Sequence, residues 1–165
     1  MERPTNGIAS LELISGLTPK KADDNFRISY DGDDLLIVEK TGFLKNKEAQ
    51  TFRLALNKII SMGIITKENI EEKQKSVVGR GVAGALLFGP AGAIVGGISG
   101  TGTKKTKKSE SVLVISYYGK NEEDIKTINF GILGDLLDHE VQFVQYFKET
   151  YTDELTENEN GEIIL

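Results

Sequence analysis

The chain contains no cysteine and a single histidine. Without cysteine there is no disulfide, no thiol nucleophile and no cysteine-ligated zinc, and the composition leans toward a reducing compartment. The lone histidine, His139, sits between Asp138 and Glu140 on the polar side of a predicted helix, the setting of a solvated surface residue. Catalytic triads and histidine-based metal sites need more partners than this. The opening run Met1 to Gly7 is polar and has no apolar core, so no secretory signal is expected and the cytoplasm is the default location. Lysine and arginine are missing from the last 13 residues, which carry Asp153, Glu154, Glu157, Glu159 and Glu162. Without these five acids the net charge of −5 becomes zero, so the acidity belongs to a tail, 153–165, rather than to the fold. Such a tail has little to bury and is expected to be solvated and disordered unless a partner orders it.

What remains has the length of one domain plus an insertion, with enough residues to bury a core unaided. Residues 1–24 form an N-terminal segment in which Leu11, Leu13, Ile14 and Leu17 suit either a short strand or a helix. From Asn25, Phe26, Ile28 and Tyr30 alternate with Arg27 and Ser29, then Asp31-Gly32-Asp33-Asp34 precedes the apolar run Leu35 to Val38. That pattern predicts a hairpin. Between 50 and 75 two periods overlap. Phe52, Ala55, Leu56, Ile59 and Ile60 trace a helix face, while Phe52, Leu54 and Leu56 alternate as a strand does. Val112 to Tyr118 is the clearest strand, and after the polar turn Gly119 to Asp124 a returning strand carries Ile125, Ile128 and Phe130. A helix is predicted over 133–152, with Leu133, Leu137, Val141, Val144, Phe147 and Tyr151 as its buried seam. Asp135 and Asp138 fall in its early turns, where the helix dipole favours negative charge.

Gly79 to Gly102 departs from ordinary globular composition, with nine glycines and no charge between Gly81 and Thr103. Gly79-Arg80-Gly81-Val82-Ala83-Gly84 matches the dinucleotide fingerprint G-x-G-x-x-G. The acidic residue that should follow about 20 positions on is replaced by Thr103-Lys104-Lys105, and no alternating strand–helix pattern surrounds it. A second reading fits better. Small residues recur every fourth position at Gly81, Ala85 and Gly89, and again at Gly92, Gly96 and Gly100, with Gly89-Pro90 between the two sets. This is a glycine zipper, predicted as a hairpin of two short helices approaching backbone to backbone. Leu86, Leu87, Phe88, Ile94 and Val95 are left on the outside, in need of a cover. As a membrane span, Val82 to Ile98 is at the short limit and is interrupted by five glycines and a proline. Arg80 on one side and Lys104, Lys105, Lys107 and Lys108 on the other form a basic patch that suits an anionic membrane surface or a solvated loop.

The segments Phe52 to Ile60, Gly63 to Thr66 and Val78 to Gly97, with the lysine-rich run behind them, resemble a group of small proteins of Gram-positive bacteria and their phages. Those proteins are similar in outline to bacterial pleckstrin-homology-like (GRAM-like) domains. The resemblance implies an α+β fold: a bent antiparallel sheet capped by a C-terminal helix, over 25–152. It tips the ambiguous stretch at 50–75 toward strand. With the zipper read as above, a glycine-rich helical hairpin and basic loop at 79–108 would lie between strands. The resemblance offers no catalytic residues to carry over, and domains of this shape usually bind lipids, peptides or proteins.

Other chemistry is poorly supported. Asp31 and Asp33 begin like a calcium loop, but Leu35 and Gly42 occupy positions where ligands are required. Lys104 to Lys108 with Tyr117 and Tyr118 hint at nucleic-acid stacking, against a domain that is not basic overall. The expectation is therefore a non-enzymatic binding module without a cofactor. It would act through the zipper by oligomerising with itself, binding a protein partner, or lying at the inner face of the membrane. The alternative is a small-ligand or nucleotide binder, including a phage-encoded sequestering protein, with phosphate contacts from Arg80, Lys104 and Lys105.

Overall fold

A computed structural model describes residues 1–21, 25–41, 47–66, 111–151, 156–157 and 163–164. Seven strands form one antiparallel sheet: β1 (Ile8–Ser15), β2 (Asn25–Asp31), β3 (Asp34–Thr41), β4 (Lys47–Ala55), β5 (Ile59–Thr66), β6 (Ser111–Tyr118) and β7 (Ile125–Ile132). Their order is β4-β3-β2-β1-β7-β6-β5. A 14-residue helix, α1 (Asp138–Tyr151), follows and packs on β5 and β1. In the acidic tail β8 (Thr156–Glu157) pairs with β9 (Ile163–Ile164), more order than the charge pattern predicts.

The strands arise where the sequence alternates. Phe26 and Ile28 of β2 and Leu35 and Ile37 of β3 are buried in the core, with Ile28 opposite Ile37, and Asp31 pairs with Asp34 across a two-residue Gly32-Asp33 turn. The 50–66 stretch is strand, as the resemblance implies, broken by a single 3-10 turn at Leu56–Lys58 that carries the chain from β4 to β5. On the other half of the sheet Leu113 and Ile115 of β6 and Ile128, Phe130 and Ile132 of β7 are buried. Phe26 and Phe130 join the halves with ring centroids 5.4 Å apart. Each such side chain contributes roughly 1.5–3 kcal/mol on burial.

Between the halves lies β1, paired with β2 on one side and β7 on the other. Both ladders shift register, and Ser10 takes a left-handed φ of 59° at one of the irregularities. Bulges of this kind bend and twist a strand. The chain leaves β1 through Gly16 at φ 100°, where a Cβ would collide with the Thr127 carbonyl.

The predicted fold class needs correction at the inserted helical hairpin. The sheet and its C-terminal helix are present, but among the described residues no helical hairpin stands between strands. Residues 67–110, which carry the glycine-rich sequence, lie outside the described residues. Four-residue spacing of small side chains permits close helix packing, but glycine itself disfavours helix by about 1 kcal/mol relative to alanine at each position. Spacing alone was therefore weak ground for two helices.

The final helix also differs from expectation. It begins at Asp138 rather than Leu133, because Gly134 turns at φ 97° and the Leu133 N–H is drawn to the Ser10 carbonyl at 3.1 Å. Its buried face is Glu140, Phe143, Val144, Tyr146 and Phe147, whereas Leu137 and Val141 of the predicted seam are 52 % and 44 % exposed. Glu140 is buried because its carboxylate accepts the Leu137 N–H at 2.9 Å, one arm of a capping box at the helix start.

Candidate functional site

All of the predicted zipper positions, Gly81, Ala85, Gly89, Gly92, Gly96 and Gly100 with Leu86, Leu87, Phe88, Ile94 and Val95, lie outside the described residues. So do Arg80, Lys104, Lys105, Lys107 and Lys108 of the basic patch. Their point of attachment is well defined. Thr66, the last residue of β5, pairs directly with Ser111, the first of β6, and Ser111 in turn lies opposite Ile132 of β7. The chain thus leaves the sheet at Thr66 and rejoins it at Ser111, side by side at the ends of β5 and β6.

Beside that root, between the end of β5 and α1, runs a groove of about 340 Å³. Ile64, Leu136, Val141 and Val144 supply its apolar lining, Thr66 stands on its wall at the root itself, and Gln145 and Lys148 complete the lining from α1. The sequence reading missed this groove by merging two faces of α1 into one seam. The available signal was the width of the apolar arc: Leu136, Leu137 and Val141 lie beside Phe143, Val144 and Phe147, more apolar surface than one packing stripe uses.

A buried carboxylate fastens the loop after β1. Glu39 of β3 is fully buried, and its Oε1 accepts the backbone N–H groups of Lys20 at 2.8 Å and Lys21 at 3.1 Å. Among the described residues its Oε2 has no hydrogen-bond partner. The Lys20 ammonium donates to the Ala49 carbonyl and the Gln50 amide to the Thr18 carbonyl, so 18–21 is pinned across β3 and β4.

A third cluster ties the N-terminus to α1. The Arg3 guanidinium donates to the Gly32 carbonyl at 2.9 Å and to the hydroxyls of Tyr146 and Tyr151 at 3.2 and 3.1 Å. It lies 5.9 Å from the ring centroids of both Tyr30 and Tyr146. Tyr30 stacks on Phe143 at 4.2 Å and donates its hydroxyl to the Phe143 carbonyl at 2.8 Å. Burial pushes the Tyr30 hydroxyl well above the usual tyrosine range, while the hydrogen bond from Arg3 holds Tyr146 below it. Arg3, Tyr30, Phe143, Tyr146 and Tyr151 thus form one fastening between the N-terminus and α1.

The remaining candidates fall into structural roles. Of the calcium-like pair, Asp31 is bound by Arg53 of β4 at 2.7 Å and the Asp33 carbonyl accepts the Leu56 N–H at 2.9 Å, while Arg53 also reaches the neighbouring Asp34 at 3.3 Å. His139 is the second residue of α1 and half-buried, and Tyr117 packs against the core from the end of β6. Among the described residues no group of three or more His, Asp or Glu side chains gathers as a metal site. Among the same residues no helix is long and apolar enough to cross a membrane.

Comparison with known proteins agrees with this architecture. Residues 18–148 match the family described as glycine zipper containing PH domain. No curated protein and no solved structure matches the chain. The match spans β2 to most of α1 and includes the whole glycine-rich segment. PH-like domains are as a rule binding modules for lipids or proteins and carry no catalytic machinery of their own. The chain belongs to the glycine-zipper-containing PH domains.

Proposed function

We propose that this chain is a non-enzymatic interaction module in which the sheet and helix form a platform and the glycine-rich stretch joins copies of the chain. The observation that carries this reading is the combination of family membership with the Thr66–Ser111 pair, which roots the zipper at one point of a well-packed domain. Small residues at four-residue steps let backbones approach closely, and the contact gains from packing rather than from any one side chain. Arg80 and the four lysines between 104 and 108 favour an anionic surface nearby, so peripheral membrane association is the second reading.

Light scattering after gel filtration, together with flotation on vesicles containing anionic lipid, tests both readings. The intact chain is expected to run as a multimer. The double variant Gly92→Leu, Gly96→Leu is expected to run as a monomer with an unchanged circular dichroism spectrum. Flotation without multimerisation would favour the membrane reading. A monomer that ignores vesicles, or a double variant that associates as before, would refute the module as proposed.

A further inference from the structure

We infer that Tyr30, Tyr146 and Tyr151, with the Gly32 carbonyl, form a recognition site for an arginine side chain of a partner protein, and that Arg3 fills it when the chain is alone. This goes beyond the proposed function, because it puts a partner site on the platform itself, independent of the glycine-rich stretch.

The chemistry of the site is read from its present occupant. Three nitrogens of the Arg3 guanidinium donate to three separate acceptors: Nη1 to the Gly32 carbonyl at 2.9 Å, Nε to the Tyr146 hydroxyl at 3.2 Å and Nη2 to the Tyr151 hydroxyl at 3.1 Å. Its central carbon lies 5.9 Å from the ring centroids of Tyr30 and Tyr146, within reach of their π faces. A planar fork meets acceptors spread in this way, whereas the compact ammonium of lysine does not. The rings do not depend on Arg3 for their positions. Tyr30 stacks on Phe143 at 4.2 Å and gives its hydroxyl to the Phe143 carbonyl, Tyr146 meets Tyr30 edge-on at 5.1 Å, and Tyr151 stacks on Phe147 at 5.6 Å. Phe143 and Phe147 are fully buried, so the fold itself preorganises the site. The occupant is held more loosely. Arg3 is exposed and precedes β1, as do the exposed Glu2, Thr5 and Asn6. Among the described residues the other polar tie of this strap is an ion pair at 3.8 Å between the Met1 ammonium and the exposed Glu149, a kind of contact that adds little. Lifting such a strap is a local opening that leaves the packed domain intact, and it frees the site for an arginine from another molecule.

Arg3→Ala vacates the site in the otherwise unaltered chain, and the five tyrosines of the sequence report on it. The variant, isotope-labelled on tyrosine, is titrated by NMR with N-acetylarginine methylamide, and with N-acetyllysine methylamide and choline as controls. The expected result is a saturable shift of the Tyr146 and Tyr151 signals with the arginine amide alone. Binding to the unaltered chain should be about tenfold weaker, because only molecules with Arg3 lifted can take the ligand. No saturable shift in a natively folded Arg3→Ala chain, or equal affinity in the unaltered chain, would overturn the inference. Lysine amide or choline binding as tightly as the arginine amide would leave a general cation site and overturn it too. Arg3→Gln is measured in parallel against a folding defect of Arg3→Ala. If neither variant unfolds cooperatively, Arg3 is an obligatory part of the fold and the inference fails. The last titrant is the chain carrying Tyr146→Phe and Tyr151→Phe, which keeps Arg3 but lacks both hydroxyl acceptors. If it fills the vacated site at concentrations where the amide leaves it empty, the occupant is a second copy and the partner reading falls. Multimerisation and flotation of the unaltered chain are read separately, so the fate of the proposed function does not depend on this result.

Discussion

A chain shortened to begin at Thr18, where the family match starts, is expected not to fold. The match omits β1, yet β1 is the strand that joins β4-β3-β2 to β7-β6-β5. Its loss removes two ladders at once and exposes the inner edges of β2 and β7. Ile8 and Leu11 are fully buried, and each contributes about 1.5–3 kcal/mol. The Arg3 contacts to Gly32, Tyr146 and Tyr151 would be lost with them. Set against a total stability of about 5–15 kcal/mol for a domain, the sum leaves little or nothing. Far-ultraviolet circular dichroism and a urea titration measure it: the shortened chain should show no cooperative transition, and a synthetic peptide of residues 1–17 should restore one. Cooperative unfolding of the shortened chain alone would show that β1 is dispensable.

Phe143→Ala and Leu137→Ala should separate by several kcal/mol although both positions are apolar and on or beside the same helix. Phe143 is fully buried, stacked on Tyr30, and its carbonyl receives the Tyr30 hydroxyl. Truncating a buried phenylalanine costs about 3–5 kcal/mol, the lost transfer energy plus the cavity left behind. Leu137 is 52 % exposed, and its replacement is expected to cost no more than about 0.5 kcal/mol. Urea unfolding of the two variants gives the comparison directly. Equal losses would mean that the helix packs through the seam read from the sequence.

That contrast shows where the sequence was legible and where it was not. The β2–β3 hairpin and the β6–β7 hairpin were readable because side chains alternate cleanly and polar turns bound them. The N-terminal strand was not, since Ile8 and Leu11 are buried three residues apart, a helical interval produced by the irregularity around Ser10. The stretch after Phe52 carried two periods because Leu54, Leu56 and Ile59 all reach the core across a 3-10 turn. For α1, Leu137 and Val141 share a period with Val144 and Phe147, and the competing buried position at Glu140 is polar, so hydrophobicity alone rotated the face. Glu39 could not be recognised at all: its partners are backbone N–H groups of Lys20 and Lys21, which leave no trace in residue identity. Of the candidate site, the small-residue spacing was plain in the sequence, whereas the groove beside its root depends on how β5 and α1 meet in space.

The most direct test of the platform-and-appendage account is to replace residues 67–110 by Asn-Gly, which joins Thr66 to Ser111 through a two-residue hairpin turn. The account predicts a folded chain whose unfolding free energy stays within about 1 kcal/mol of the original, and which no longer multimerises or floats with vesicles. A chain that fails to fold, or one that folds and still associates, would contradict it.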